Sequence, residues 1–224
     1  MLVGILYIVG TAAGVLSLIF TGSLRADDYL TAIAANPTRV KVGVLFVLTM
    51  GLALTFIPVL LHPIFKRHNE RLSMSYIIFR SGLESVSYIL SSVVMLLLVS
   101  LSALYVKNGS GDTAMFDVLG GLLHGADGWI NNMRVLVFGI SALIINAIFY
   151  QTRLIPRWIS AWGFIAAALH IANGFLDMFG LLDTMSLVGS LLDVPTGLQE
   201  LVMAVWLIVK GFAQEPLSRL LENE

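Results

Sequence analysis

The chain has 224 residues, with 13 Lys plus Arg against 14 Asp plus Glu, for a formal net charge of −1. Charged residues make up 12% and hydrophobic residues 58%, and mean hydropathy is +0.90, whereas an ordinary soluble domain is about 25% charged. These figures exclude a disordered chain and argue against a nucleic-acid binder, which needs a basic excess. No Cys is present, so disulfides, Cys-ligated zinc and thiol nucleophiles are excluded too. What remains is an all-α polytopic membrane protein.

Crossing about 30 Å of hydrocarbon takes roughly 20 mostly apolar residues. Gaps between charges predict a six-helix transmembrane bundle, with helices at roughly 2–22, 40–62, 73–105, 134–151, 158–180 and 196–212, in one domain over 1–224. The first helix has only the free amine before it, which predicts a retained span rather than a cleaved signal peptide. Its Gly10-Thr-Ala-Ala-Gly14 stretch is a small-residue face suited to close packing in the bundle or to a homodimer. The second helix carries Gly43, Gly51 and Pro58.

Lys66, Arg67 and Arg71 follow helix 2, Arg153 and Arg157 follow helix 4, and the tail holds Lys210 and Arg219. Positive loops face the cytoplasm, so both termini are expected there, with the chain in the inner (plasma) membrane. Arg25, Arg39 and Lys41 after helix 1 run against that orientation. Two acid-bearing segments on the opposite side, 112–132 and 183–193, carry helix-like apolar stripes yet are too short to span. They predict two short outer interfacial helices. Pro195 followed by Thr196-Gly-Leu-Gln199 predicts a capped start for the last helix.

Function in such a bundle is best sought where polarity is expensive. A charge at mid-bilayer costs at least about 2.5–3.5 kcal/mol. On helix 5, His170, Asn173 and Asp177 share one face. Glu200 on the antiparallel last helix falls near their height, so the four form a candidate ligand-binding cluster in the outer leaflet, with Gln199 beside it and His124 and Asp127 as lid contacts. Each has a plainer reading: His170 and Asn173 as interhelix hydrogen bonders, Asp177 at the water interface, Glu200 as a first-turn acid complementing a helix N-terminus. A second group lies lower on helix 3, where Arg80 and Glu84 are four residues apart and can form a structural ion pair. Tyr88, Ser91 and Ser92 continue above it, Asn146 and Tyr150 on helix 4 lie at comparable depth, and Arg80 is close enough to the interface to snorkel.

Catalytic constellations are absent from the sequence. There is no HExxH or HxxxH, no Gly-x-Ser-x-Gly elbow and no phosphate-binding Gly-rich loop. His62 and His68 sit in or beside a basic loop and read as solvated. His170 and Asp177 are two turns apart, about 10 Å, which is awkward for one metal. No catalytic residue, metal set or cofactor is assigned.

Several stretches resemble a bacterial family of small multi-pass membrane proteins catalogued as a domain of unknown function. They are Gly4 to Gly14, Ile57 to Glu70, Phe79-Arg-Ser-Gly-Leu-Glu84, Leu154-Ile-Pro-Arg-Trp-Ile-Ser160 with Trp162-Gly163, and Gln199-Glu200 with Ala204 to Phe212. The resemblance implies a helical membrane protein of the prokaryotic envelope, and implies no activity or substrate. Arg80, Glu84 and Glu200 fall inside the resembling stretches, and His170 and Asp177 outside them. The expected function is binding or transport of a small amphipathic molecule or ion in an outward-facing, polar-lined cavity, with Glu200, His170, Asn173 and Asp177 holding a cationic or hydrogen-bonding group. The alternatives are a metal-dependent hydrolase of lipid-like substrates and a non-catalytic accessory membrane subunit. Membrane lipids are the expected partners, a small-molecule ligand and a second copy are candidates, and nucleic acid is not expected.

Overall fold

The computed structural model describes residues 1–108, 113–182 and 186–222, and no strand forms among them. Apolar composition without water forces backbone groups to pair within each segment, which selects helix. The elements run α1 (Leu2–Phe20), a 3₁₀ turn (Gly22–Arg25), α2 (Tyr29–Ala35), α3 (Pro37–Tyr76), a π-helical segment (Ile77–Leu83), α4 (Glu84–Asn108), α5 (Ala114–Thr152), α6 (Arg157–Met178), α7 (Leu187–Val209) and α8 (Gln214–Glu222).

Among the described residues five helical stretches are long and apolar enough to cross a membrane, one of them the 72-residue stretch Pro37–Asn108. That stretch is folded back on itself. Asn69 leaves helical geometry at φ −157°, ψ 106°, and its carboxamide oxygen accepts from the Leu72 amide at 3.1 Å, restarting the helix. The arms then run antiparallel, joined by Ser81 Oγ to the Thr55 carbonyl at 2.8 Å and by His62 Nδ1 with Ser73 Oγ at 2.8 Å. His62 is therefore held between helices rather than solvated, and His68 meets Gln151 Oε1 at 2.8 Å.

The long helices pack in a closed ring: α1 on α3, α3 on α4, α4 on α5, α5 on α6, α6 on α7, and α7 back on α1. Glycines set the close approaches. A Cβ on Gly4 would lie 2.5 Å from the Ala204 carbonyl oxygen, so α1 and α7 touch backbone to backbone. Gly10 and Gly14 face Leu54 and Met50 of the same chain, so the small-residue face expected to serve either bundle or homodimer is already covered by α3. Outside the ring, Leu45, Leu52, Phe56, Leu97, Ile165 and Val205 stand exposed. Such a surface suits hydrocarbon and not water. The chain is an all-α, polytopic integral membrane protein.

The two short outer helices do not exist as separate elements. The segment 114–132 is the first half of α5, which is 39 residues long. Its rise of about 58 Å exceeds the hydrocarbon thickness. By charge spacing alone the span ends at Arg134, where a charge interrupts it. The fold keeps the helix going by turning Arg134 inward, with its guanidinium 5.0 Å from the Tyr88 ring centre. Likewise Leu187–Val209 is one helix running through Pro195, capped by Ser186 Oγ accepting from the Gly189 amide at 3.1 Å. Residues 183–185 of the predicted outer segment lie outside the described residues, as does Asp112 of the other. Thr196 caps nothing: its hydroxyl donates to the Ala166 carbonyl at 3.1 Å.

Candidate functional site

The π-helical segment carries the first decisive residue. A π turn inserts an extra residue into the helical register, a local cost often found at functional sites. Here it presents Arg80 to the inside of the ring, 2% exposed. Arg80 does not snorkel to the interface; it forms the ion pair with Glu84 that their spacing allows. Nη1 donates to both Glu84 carboxylate oxygens, at 3.2 and 3.0 Å. Nη2 donates to Glu200 Oε1 at 3.1 Å. The Tyr88 hydroxyl donates to Glu84 Oε1 at 2.8 Å, and Gly51 makes room for the Tyr88 ring, since a Cβ there would stand 3.1 Å from Tyr88 Cδ2. The guanidinium carbon also sits 4.7 Å from the Phe138 ring centre. Arg80 Nε is buried with no partner among the described residues.

This contact corrects the depth assignment. The sequence placed Arg80 and Glu84 in one half of the bundle and Glu200 in the other. In the fold Glu200 lies well inside α7, the fourteenth residue from its start, and it meets Arg80 directly. It is therefore no first-turn acid. The two groups are one.

A cavity of about 300 Å³ opens beside this triad, lined by Arg80, Glu84, Glu200, His170, Asp193 and Arg134 among others. His170 Nδ1 lies 2.6 Å from Asp193 Oδ1, 12% and 33% exposed, and packs edge-on against Phe138. In sequence Asp193 belongs to a segment patterned like an interfacial helix and gives no sign of facing His170. Its continuity with α7 brings it to His170. A second chamber of about 580 Å³ adjoins the first and shares Met50, Tyr88, Asn131 and Arg134 with it. Its wall includes Arg25, His124, Asp127 and Asp177. Arg134 bonds Asn131 and, stacked over Tyr88, stands at the boundary between the two. His124 Nε2 and Asp127 Oδ1 are buried without a partner among the described residues.

The four residues singled out for ligand binding thus part company. Glu200 and His170 share the inner chamber. Asp177 lines the wider one and accepts from Asn132 Nδ2 at 2.8 Å. Asn173 lines neither of these two chambers: it is fully buried and donates to the Gly189 carbonyl at 3.0 Å, tying α6 to α7. Gln199 has a similar packing role, donating to Asn146 Oδ1 at 3.2 Å and to the Ile159 carbonyl at 3.3 Å. On the far side of Arg80, toward Asn69, the core is filled. Tyr7 and Tyr76 pair their hydroxyls at 3.3 Å, and Phe65 meets Phe149 edge-on at 5.3 Å. Among the described residues no three His, Asp or Glu side chains converge as a metal site would need.

Across both chambers five carboxylates, Glu84, Asp127, Asp177, Asp193 and Glu200, face three guanidiniums, Arg25, Arg80 and Arg134. The family model for the domain of unknown function DUF4386 matches residues 2–211. The chain belongs to that family. The match spans all the helices that build the chambers. No curated protein and no solved structure matches the chain.

Proposed function

We propose that this membrane protein binds a small cation, or an amphipathic molecule bearing a cationic group, in the paired chambers, and that the site serves its passage or sensing. The observation that carries the reading is the Glu84–Arg80–Glu200 triad at the floor of the inner chamber. One guanidinium stands between two carboxylates at a depth where charge is costly, so the triad is one positive charge short of neutrality. Glu84 is 1% exposed and committed to Arg80 and Tyr88, whereas Glu200 is 20% exposed and lines the chamber. Glu200 is the acid that can receive a ligand. The excess of carboxylates over guanidiniums along both chambers favours a positive occupant, and Tyr88 and Phe138 supply aromatic walls.

In this reading the chain is one transmembrane domain crossing the membrane six times, because Pro37–Asn108 contributes two arms. The Asn69 end, with Lys66, Arg67, Arg71, Arg153 and Arg157, faces the cytoplasm. The chambers open to the other side, and the Tyr7–Tyr76 and Phe65–Phe149 contacts close the cytoplasmic half. The test is equilibrium binding of benzyltrimethylammonium to the full-length protein in lipid nanodiscs. The expected result is saturable binding that its uncharged tert-butyl isostere does not compete, weakened about tenfold or more in Glu200→Gln, a loss of about 1.4 kcal/mol or more. Equal binding of the isostere, or unchanged affinity in Glu200→Gln, rejects the reading.

A further inference from the structure

At the opposite end of the molecule from the wider chamber lies a groove of about 460 Å³ where α5 ends, α6 begins and α7 ends. Arg153, Arg157 and Lys210 line it, with no carboxylate among its lining residues. Its apolar wall is Leu154, Trp206 and Phe212. The walls are fixed: the Ala213 amide donates to the Leu154 carbonyl at 2.9 Å, pinning the α7 exit to the α5–α6 turn. Arg153 closes α5 with a left-handed backbone, φ 58°, ψ 24°, a conformation usually left to Gly or Asn at a helix end. Arg157 is aimed by its Nε–H donating to the Tyr150 carbonyl at 3.3 Å, with its guanidinium over the Tyr150 ring. The nearest acid along the chain, Glu215, is paired with Arg219. Arg153 and Lys210 have no acidic partner among the described residues. Trp158, the residue after Arg157 at the start of α6, stacks on Trp162, and Trp at a helix end marks the headgroup level of a bilayer.

We infer that this groove binds the phosphate headgroup of an anionic phospholipid. Charge complementarity selects the occupant: three cations at headgroup depth, no competing acid, and an apolar wall that continues into exposed lipid-facing surface at Val205 and Val209. Basic pockets between helices at the membrane face hold phospholipid headgroups by this chemistry. The inference is independent of the proposed cation site, which lies beyond the Tyr7–Tyr76 plug.

Native mass spectrometry of the full-length protein in neutral detergent, titrated with phosphatidylglycerol or phosphatidylcholine, tests it. Phosphatidylglycerol should be retained preferentially. Each cation near a membrane surface is worth roughly a fivefold gain, so Arg153→Gln/Lys210→Gln should lose about twenty-five-fold of the preference. Both positions are exposed, so the double variant should unfold at the same temperature as the parent when lipid is absent. Lys66→Gln/Arg71→Gln removes equal charge from the same end and should keep the preference. Equal retention of the two lipids overturns the inference, and so does a loss shared by both double variants. Displacement of the lipid by millimolar inorganic phosphate would indicate a site for a soluble phosphate instead.

Discussion

Replacing Arg80 with Leu removes the guanidinium that donates to both Glu84 carboxylate oxygens. Glu84 is 1% exposed and would keep only the neutral Tyr88 hydroxyl as a donor. Glu200, a fifth exposed, can turn toward its chamber and be solvated there. The cost therefore falls mainly on Glu84. Breaking a buried pair by removing one partner costs about 3–5 kcal/mol, because a charge is stranded. At about 2–4 °C per kcal/mol for a chain of this size, Tm should fall by roughly 6–20 °C. Tryptophan fluorescence during heating in a mild detergent measures this directly. Adding Glu84→Gln to the same chain removes the stranded charge, and the double variant should recover about half of the loss or more. A fall below about 2 °C for Arg80→Leu, or a double variant no more stable than the single one, would refute the idea that the triad is held together by charge compensation.

Glu200→Gln should leave Tm within about 2 °C of the parent, since Arg80 and Glu84 then form a neutral pair, while benzyltrimethylammonium binding is lost; equal losses of both would mean that Glu200 only packs helices. Gly4→Val puts side-chain atoms into the Ala204 carbonyl and should destabilise by about 1–3 kcal/mol, whereas Gly22→Ala, with open space around it, should be silent in the same melt. Cysteines introduced at Lys66 and Arg153 should be protected from an impermeant maleimide in intact cells and react once the membrane is permeabilised. Reaction from outside would reverse the orientation and turn the chambers inward.

Composition and charge spacing were enough to determine the class: a helical chain with apolar stretches long enough to span, its basic residues gathered at helix ends. Two charges defeated the spacing argument. Arg134 and Asp193 each look like the edge of a membrane segment, because a sequence shows that a residue is charged and not which way it points. Inside a ring of helices a charge can sit at depth if a partner faces it, and that partner belongs to another helix. Arg134 finds Tyr88 and Asn131, and Asp193 finds His170. The local pair Arg80–Glu84 could be read from its spacing of four, since both residues lie on one helical face. The pairing of Arg80 with Glu200, 120 residues away, could not. It depends on the fold-back at Asn69, the π segment that turns Arg80 inward and the continuity of α7 through Pro195. The same continuity assigned Asn173 and Gln199 to helix packing. Hydrophobic patterning acts residue by residue along the chain, and it determined that helices form and where lipid touches them. Which polar groups share a chamber depends on helix rotation and register, and those were decided only when the helices packed.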